Sequence, residues 1–335
     1  MKIDWQNLGF NYIPVNSHIR YTHQDDKWNS GQLFREPYIT LPIAANCFHY
    51  GQAVFEGLKA FRCKDGKIRI FRPIENAMRI NRTLSHILAP EIPESLFLEA
   101  IMRVIRDNIE YIPPYGTGGS LYIRPFVIGS GAHIGVGPSN KYDFMVFVVP
   151  VGAYYKGGIK PVNALIVEDI DRAAPKGTGH IKVAGNYAAS LKPGKIAKEK
   201  GCQVALFLDS RTHQYVEEFG TSNFIGITND GKYVTPDSRS ILESITNKSL
   251  MEIASDFGMT IEKRPVHKDE LESFAEVGAC GTAVVITPIG RIFIGDKVIS
   301  YSQEIGPVLK QLYERVTGIQ YGEYEDTHKW LVEVI

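Results

Sequence analysis

The sequence predicts an α+β protein in two domains, and three observations carry that prediction. Short alternating segments at Gln203–Asp209, Gln214–Glu218 and Asn223–Thr228 follow one another across tight turns, which is an antiparallel meander rather than a βαβ repeat. Amphipathic helical stretches stand elsewhere, opening at Pro73, at Pro93 and at Ser244, with a last one over Glu304–Gly318. Between the halves, Pro150-Val151-Gly152-Ala153-Tyr154-Tyr155-Lys156-Gly157-Gly158 passes from apolar to glycine-rich. It sets a small amino-terminal domain over 1–150, a linker over 151–160 and a larger domain over 161–335.

A chain of 335 residues can bury a substantial core. Lys plus Arg and Asp plus Glu number 37 each, so no global field draws nucleic acid or an anionic membrane. An anionic ligand must be met by local donors. Cys47, Cys63, Cys202 and Cys280 are far apart and form no C-x-x-C pair, which speaks against a metal site or disulfide framework and for a reducing compartment. The first residues lack an apolar signal core, and the longest apolar stretch, Phe144–Tyr155, is broken by Pro150 and too short to span a bilayer. The expectation is a soluble, cytoplasmic protein.

Residues 1–48 show scattered aromatics and little periodicity. Val54–Phe61 alternates as a strand, with Gly51 and Gly57 where the backbone bends or is closely approached; Tyr50 and Phe55 read equally as core or as pocket wall. Lys67–Arg72 is a strand after the Asp65-Gly66 turn, and Pro73 opens a helix whose stripe is Ile74, Ala77, Met78 and Leu84. On that helix Arg79 and Arg82 are either solvated surface or a forked anion contact. Ser120–Ile128 is the clearest strand; period two places Tyr122, Arg124 and Phe126 on one face, either an exposed edge or a carboxylate site. Gly129–Gly137 is a loop and Tyr142–Val149 a buried strand.

The second half opens with a strand over Val162–Val167 and leads into Pro175-Lys176-Gly177-Thr178-Gly179-His180-Ile181-Lys182-Val183-Ala184-Gly185-Asn186-Tyr187. Glycines around Lys182 allow a tight turn or close backbone approach, and a lysine without charged neighbours loses its proton cheaply and can attack a carbonyl. The plain alternative is a turn with a surface lysine; a nucleotide-phosphate loop fails on spacing. From Asn186 to Lys200 the pattern is helical. Glu217 and Glu218 before Gly220 are a solvated strand end or a ligand for a cofactor ring. The helix beginning at Ser244 offers unpaired N–H groups, a natural phosphate seat. No Rossmann fingerprint occurs, which counts against a nicotinamide enzyme.

The motif K-G-T-G-x-x-K-x-x-G-N-Y-A-x-S-L resembles the lysine segment of branched-chain amino acid aminotransferases, the fold-type IV enzymes that use pyridoxal 5'-phosphate, and the resemblance runs from about His49 to about Gly322. It implies a small α/β domain followed by a larger pseudo-barrel domain. It implies Lys182 as the Schiff-base lysine, Arg79 on the phosphate, Tyr187 on the ring O3' and Glu218 at the ring nitrogen, with Glu217 spare. Gly220, Thr221, Ile245, Thr246 and Thr282 complete the implied cofactor contacts. Tyr50, Phe55, Tyr122 and Tyr154 would wall the substrate pocket, Arg124 would meet the distal carboxylate of 2-oxoglutarate, and Thr282 and Ala283 would hold the α-carboxylate. Ile134 and Val136 resemble the piece a partner subunit inserts, so a homodimer or dimer-based oligomer is implied. The family's G-[IV]-T-R is Ser244-Ile245-Thr246-Asn247 here, without the arginine, and the redox cysteine pair of some animal members is replaced by Val284 and Thr287. The implied activity is ping-pong transfer of the amino group of L-leucine, L-isoleucine or L-valine to 2-oxoglutarate. D-amino acid aminotransferases and aminodeoxychorismate lyases share the fold, and a non-catalytic homologue would lack the need for Lys182.

Overall fold

In the computed structural model of the chain, which describes residues 3–153 and 159–334, contacts separate two units. The first takes Met1–Tyr154 together with Ile181–Gly185 and Ile319–Ile335; the second takes Tyr155–His180 and Asn186–Gly318. Residues 181–185 around Lys182 and the tail thus group with the first unit, while the rest of the glycine-rich motif groups with the second.

The first unit is built on a nine-stranded antiparallel sheet, in the order Leu331–Glu333, Ile68–Phe71, Leu58–Arg62, Ser120–Gly129, Tyr142–Val151, His18–Gln24 and Lys27–Trp28. Gln32–Phe34 pairs with His18–Gln24, and Ala53–Phe55 with Ser120–Gly129. The helices Pro73–His86 and Glu94–Asp107 bury Ile80, Leu84, Phe97, Ile101 and Ile105 in one core with Ile70, Ile123 and Phe144 of the sheet. The expected strand over Val54–Phe61 is two strands, broken at Glu56 and Gly57. The cause lies across the sheet, where Pro125 has no N–H to offer; Glu56 N donates to its carbonyl at 2.7 Å and the ladder then resumes at Leu58↔Ile123. Residues 1–48 are more ordered than their pattern suggests. His18–Gln24 and Lys27–Trp28 form a hairpin whose turn residues, Asp25 and Asp26, both sit at positive φ (52° and 58°).

The second unit holds a ten-stranded mixed sheet that closes on itself. Ser222–Thr228, Phe274–Gly281, Val285–Ile294, Val162–Ile166, Val204–Leu208 and Tyr215–Phe219 pair in that order, and the ring shuts through Glu218↔Asn223 and Phe219↔Ser222. The expected antiparallel meander is present, with Val204–Leu208, Tyr215–Phe219 and Ser222–Thr228 pairing in turn. Val162–Ile166 runs parallel to both of its neighbours, so the barrel as a whole is mixed. Leu206, Phe219, Phe224, Val277 and Ile292 fill it, with the Phe219 and Phe224 rings stacked at 6.1 Å. The helix expected over Asn186–Lys200 is two, Ala184–Ala189 and Leu191–Glu199, interrupted at Ser190. Pro193 explains the restart, because its ring would clash with the carbonyl four residues back in a continuous helix. Among the described residues no helix is long and apolar enough to cross a membrane, and no group of three or more His, Cys, Asp and Glu is placed to hold a metal.

Candidate active site

In the first unit the lysine segment is fixed as a short extension of the sheet. Phe55 N donates to the Lys182 carbonyl (3.3 Å), Lys182 N donates to Thr83 Oγ1 (3.1 Å), and Val54 bridges Val183. Ile181 and Val183 are buried on either side of it, so apolar burial pins the backbone. The Lys182 Nζ then lies 4.7 Å from the centre of the Phe55 ring. Next to Phe55 the alternation of the strand carries Glu56 inward with Val54 and Leu58, where Arg79 Nε and Nη2 each donate to it at 2.7 Å and Asn76 Nδ2 donates at 2.7 Å. Burial works against the Glu56 charge, but Arg79, Lys182 and the Asn76 amide outweigh it and hold the carboxyl below its usual range. Two of the three guanidinium nitrogens of Arg79 are thereby engaged.

Tyr122, Arg124 and Phe55 meet. The Arg124 guanidinium lies 4.8 Å from the Phe55 ring and 5.2 Å from the Tyr122 ring, and its Nη2 donates to Tyr122 Oη at 2.9 Å. Arg124 Nε is shielded from solvent and meets no acceptor among the described residues. Lys59 stands opposite Tyr122 in the ladder, on the same face, and burial lowers its ammonium to about 8. Gly57 admits the Tyr122 hydroxyl into the space a Cβ would fill. Tyr50 turns instead to the 129–137 loop, its hydroxyl donating to the Ile134 carbonyl. Ile134 and Val136 are 76% and 89% exposed. Tyr154 lies outside the described residues.

In the second unit Glu218 sits at the barrel's closing seam, buried and held on every side. Arg172 pairs with Oε1 at 2.8 Å, Asn223 Nδ2 donates to Oε2 at 2.7 Å, and Leu242 N donates to Oε1 at 3.3 Å. Burial pushes Glu218 up to about 7 against the opposing pull of Arg172. Glu217 is no solvated strand end either: it is buried, accepts from Ser238 Oγ at 3.0 Å, and burial raises its pKa. Arg172 also donates to the carbonyls of Gly179 and Ser240, and a Cβ on Gly179 would collide with the Ser240 carbonyl and the guanidinium. Gly179 therefore serves packing around Arg172. Gly220 and Thr221 form the two-residue turn at the seam, with Gly220 N donating to Ala205 O at 3.0 Å.

Ser244 caps the helix Ile245–Asp256 by accepting from Asn247 N at 3.2 Å. The N–H groups of Ile245 and Thr246, in its first turn, have no acceptor within the helix. Asn247, where the family places arginine, is a core residue: its side chain accepts from Tyr233 Oη (2.6 Å) and donates to Thr235 Oγ1 (2.9 Å). Thr282 and Ala283 lie in the turn between Phe274–Gly281 and Val285–Ile294, just before Val285 at φ +67°, a strained conformation for a β-branched residue. Tyr187 is half-buried on the helix Ala184–Ala189. Reading the sequence alone missed Glu56, Asn76, Lys59 and Arg172. The available signal for Glu56 was an acid inside an apolar strand, and for Arg172 an arginine just ahead of the glycine motif.

Comparison with known proteins agrees with this chemistry. Residues 53–292 match the family described as amino-transferase class IV. The chain is 47% identical to a branched-chain-amino-acid aminotransferase of Haemophilus influenzae, over 99% of both chains. It is 48% identical to one of Helicobacter pylori, over 99% of this chain and 98% of the relative. Its fold resembles that of a T.th. branched-chain amino acid aminotransferase complexed with N-(5'-phosphopyridoxyl)-L-glutamate, with a TM-score of 0.81 and 26% identity over 96% of this chain and 100% of the other.

Proposed function

This chain belongs to the class IV aminotransferases, which are pyridoxal-phosphate enzymes, and from that premise we propose that it moves the amino group of L-leucine, L-isoleucine or L-valine to 2-oxoglutarate. The relatives' names support the branched-chain substrates at nearly half identity over the whole length. The phosphopyridoxyl-glutamate bound by the T.th. enzyme supports the glutamate couple.

The residues present fit the cofactor. Glu218 is a buried acceptor with a dedicated cation behind it, the Ile245 and Thr246 N–H pair sits at a capped helix start, and Arg124 Nε is an orphaned donor beside an aromatic wall. Pyridoxal phosphate, when bound, supplies a carbon that amines attack and a ring that accepts the electron pair left by a departing α-proton. Lys182 Nζ would carry that proton, taking it from the substrate's α-carbon and returning it two atoms along, a 1,3-shift. Arg172 opposes the protonation of Glu218, and Glu218 would then accept a hydrogen bond from a protonated ring nitrogen. Tyr187 would donate to O3'. Arg79, Thr246, Thr282 and the Ile245 N–H would hold the phosphate, and the Thr282 and Ala283 turn would take the α-carboxylate. Phe55, Tyr122, Tyr50 and Tyr154 would exclude water around a branched side chain. Arg124 would meet the distal carboxylate, so that one wall serves both substrates. Gly220 and Thr221 would support Glu218 through the seam turn.

The observation that carries this reading is the amine of Lys182 set over Phe55, beside an apolar face that also bears Arg124. A visible spectrum of the purified protein tests it. L-leucine, and not D-alanine, is expected to convert the absorption of the aldehyde form of the cofactor to that of the amine form. Response to D-alanine alone would move the assignment to D-amino acids, and no cofactor band after incubation with pyridoxal phosphate would sink it. The exposed Ile43, Ile134 and Val136 support a homodimer in which the 129–137 loop enters the neighbour's site, to be tested by light scattering. Four free cysteines fit a cytoplasmic location.

A further inference from the structure

In the first unit a cavity of about 370 Å³ opens beside the strand His18–Gln24, against the segment 40–42 and the turn 130–132. Two opposite charges face it. Alternation along the strand puts Arg20 and Thr22 on one face, and the register sets Thr22 opposite Asp143. Asp143 is only 6% exposed and accepts from Thr22 Oγ1 at 2.7 Å. The Arg20 guanidinium lies 4.6 Å from the Phe34 ring, and its shielded Nε meets no acceptor among the described residues. Lys141 borders the same space, and among the described residues no ion pair joins Arg20 to Asp143.

This combination selects its occupant. A simple anion gains from Arg20 and Lys141 but is repelled by Asp143, and a simple amine meets the reverse. A molecule carrying a carboxylate and an ammonium one carbon apart satisfies both, while Leu41 and Pro42 offer apolar surface to a short side chain. We propose that this cavity binds a free α-amino acid, with its carboxylate on Arg20 and its ammonium on Asp143. The wall of the cavity leads into the loop that carries Ile134. Asn46 N donates to Gly131 O (3.2 Å), His133 N donates to Ala44 O (2.9 Å), and the Tyr50 hydroxyl donates to Ile134 O. An amino acid in the cavity therefore bears on the placement of Tyr50 and Ile134; this consequence rests on the transaminase reading, since both are assigned there to substrate.

The test uses cofactor-loaded enzyme treated with borohydride, which seals Lys182 and stops amino acids reacting there. Calorimetric titration with L-leucine is expected to show saturable binding, with 4-methylpentanoate and 3-methylbutylamine, which carry one charge each, at least about ten-fold weaker. Arg20→Gln and Asp143→Asn are each expected to weaken L-leucine binding about ten-fold or more. If Asp143→Asn fails to fold, Thr22→Val takes its place. Absence of binding, binding unchanged in the variants, or equal binding of the single-charge analogues would overturn the proposal. The transaminase reading is judged separately, by the spectrum of untreated enzyme. An enzyme that passes the spectral test and fails the titration refutes only the second site, and one without cofactor is titrated untreated.

Discussion

Arg79 and Glu56 form a forked pair in which both partners are buried, and the pair joins the helix Pro73–His86 to the strand break. Removing one partner of such a pair strands the other charge, so Glu56→Ala is expected to cost about 3–5 kcal/mol in denaturant unfolding. Replacing both, as Glu56→Leu with Arg79→Met, recovers most of that cost while still weakening cofactor binding. Lys59 gives a prediction in pH. Burial holds its ammonium near 8, so its positive charge is present below that value and fades above it. Sharing a face with Tyr122 and Arg124, it should assist a distal carboxylate. The KM for 2-oxoglutarate, relative to that for 4-methyl-2-oxopentanoate, is then expected to rise as the pH passes upward through about 8 and to lose this dependence in Lys59→Met. Lys182, Arg79 and Glu218 stand out in the sequence because they sit in spaced motifs. Their partners do not, because Glu56, Lys59 and Arg172 gain meaning only from contacts across strands or from distant loops.

The strand break at Glu56 and Gly57 shows how one element shapes the site. A proline in the neighbouring strand interrupts the ladder without shifting its register, so Glu56 keeps the buried face of Val54 and Leu58, and Gly57 leaves the gap that receives the Tyr122 hydroxyl. Gly57→Ala is expected to displace Tyr122 and, through their hydrogen bond, Arg124. Raised KM values with a smaller change in the thermal unfolding midpoint would show it; unchanged kinetics would refute it. At the helix Ile245–Asp256, Ser244→Ala removes the cap and is expected to cost about 1 kcal/mol in denaturant unfolding. Most elements were readable from alternation and stripes, the capped helix and the Ser120–Gly129 strand most plainly. The amino-terminal hairpin was not, since its turn uses two aspartates at positive φ instead of an Asn-Gly or Asp-Gly pair.

Across the whole molecule, the division into an open antiparallel sheet and a closed barrel was legible only through the family resemblance. Local pattern marked the Val162–Val167 strand but could not show that it runs parallel to partners about 40 and about 130 residues away, a pairing the chain settles after long excursions. The assignment of Ile181–Gly185 and Ile319–Ile335 to the first unit is of the same kind. The barrel closes through just two residue pairs between Tyr215–Phe219 and Ser222–Thr228, and one of those pairs is Glu218 with Asn223. That seam would then act as a latch, since a cofactor gripping Glu218 would also hold the cylinder shut. Amide hydrogen exchange at 218–223 is therefore expected to slow on cofactor addition more than along the six-pair Ser222–Thr228 and Phe274–Gly281 ladder, and uniform slowing would disprove the latch. On this view the cofactor is a fastener for the barrel as well as a reagent, and an enzyme starved of it should breathe, and be clipped by proteases, first at the hairpin that carries its acid.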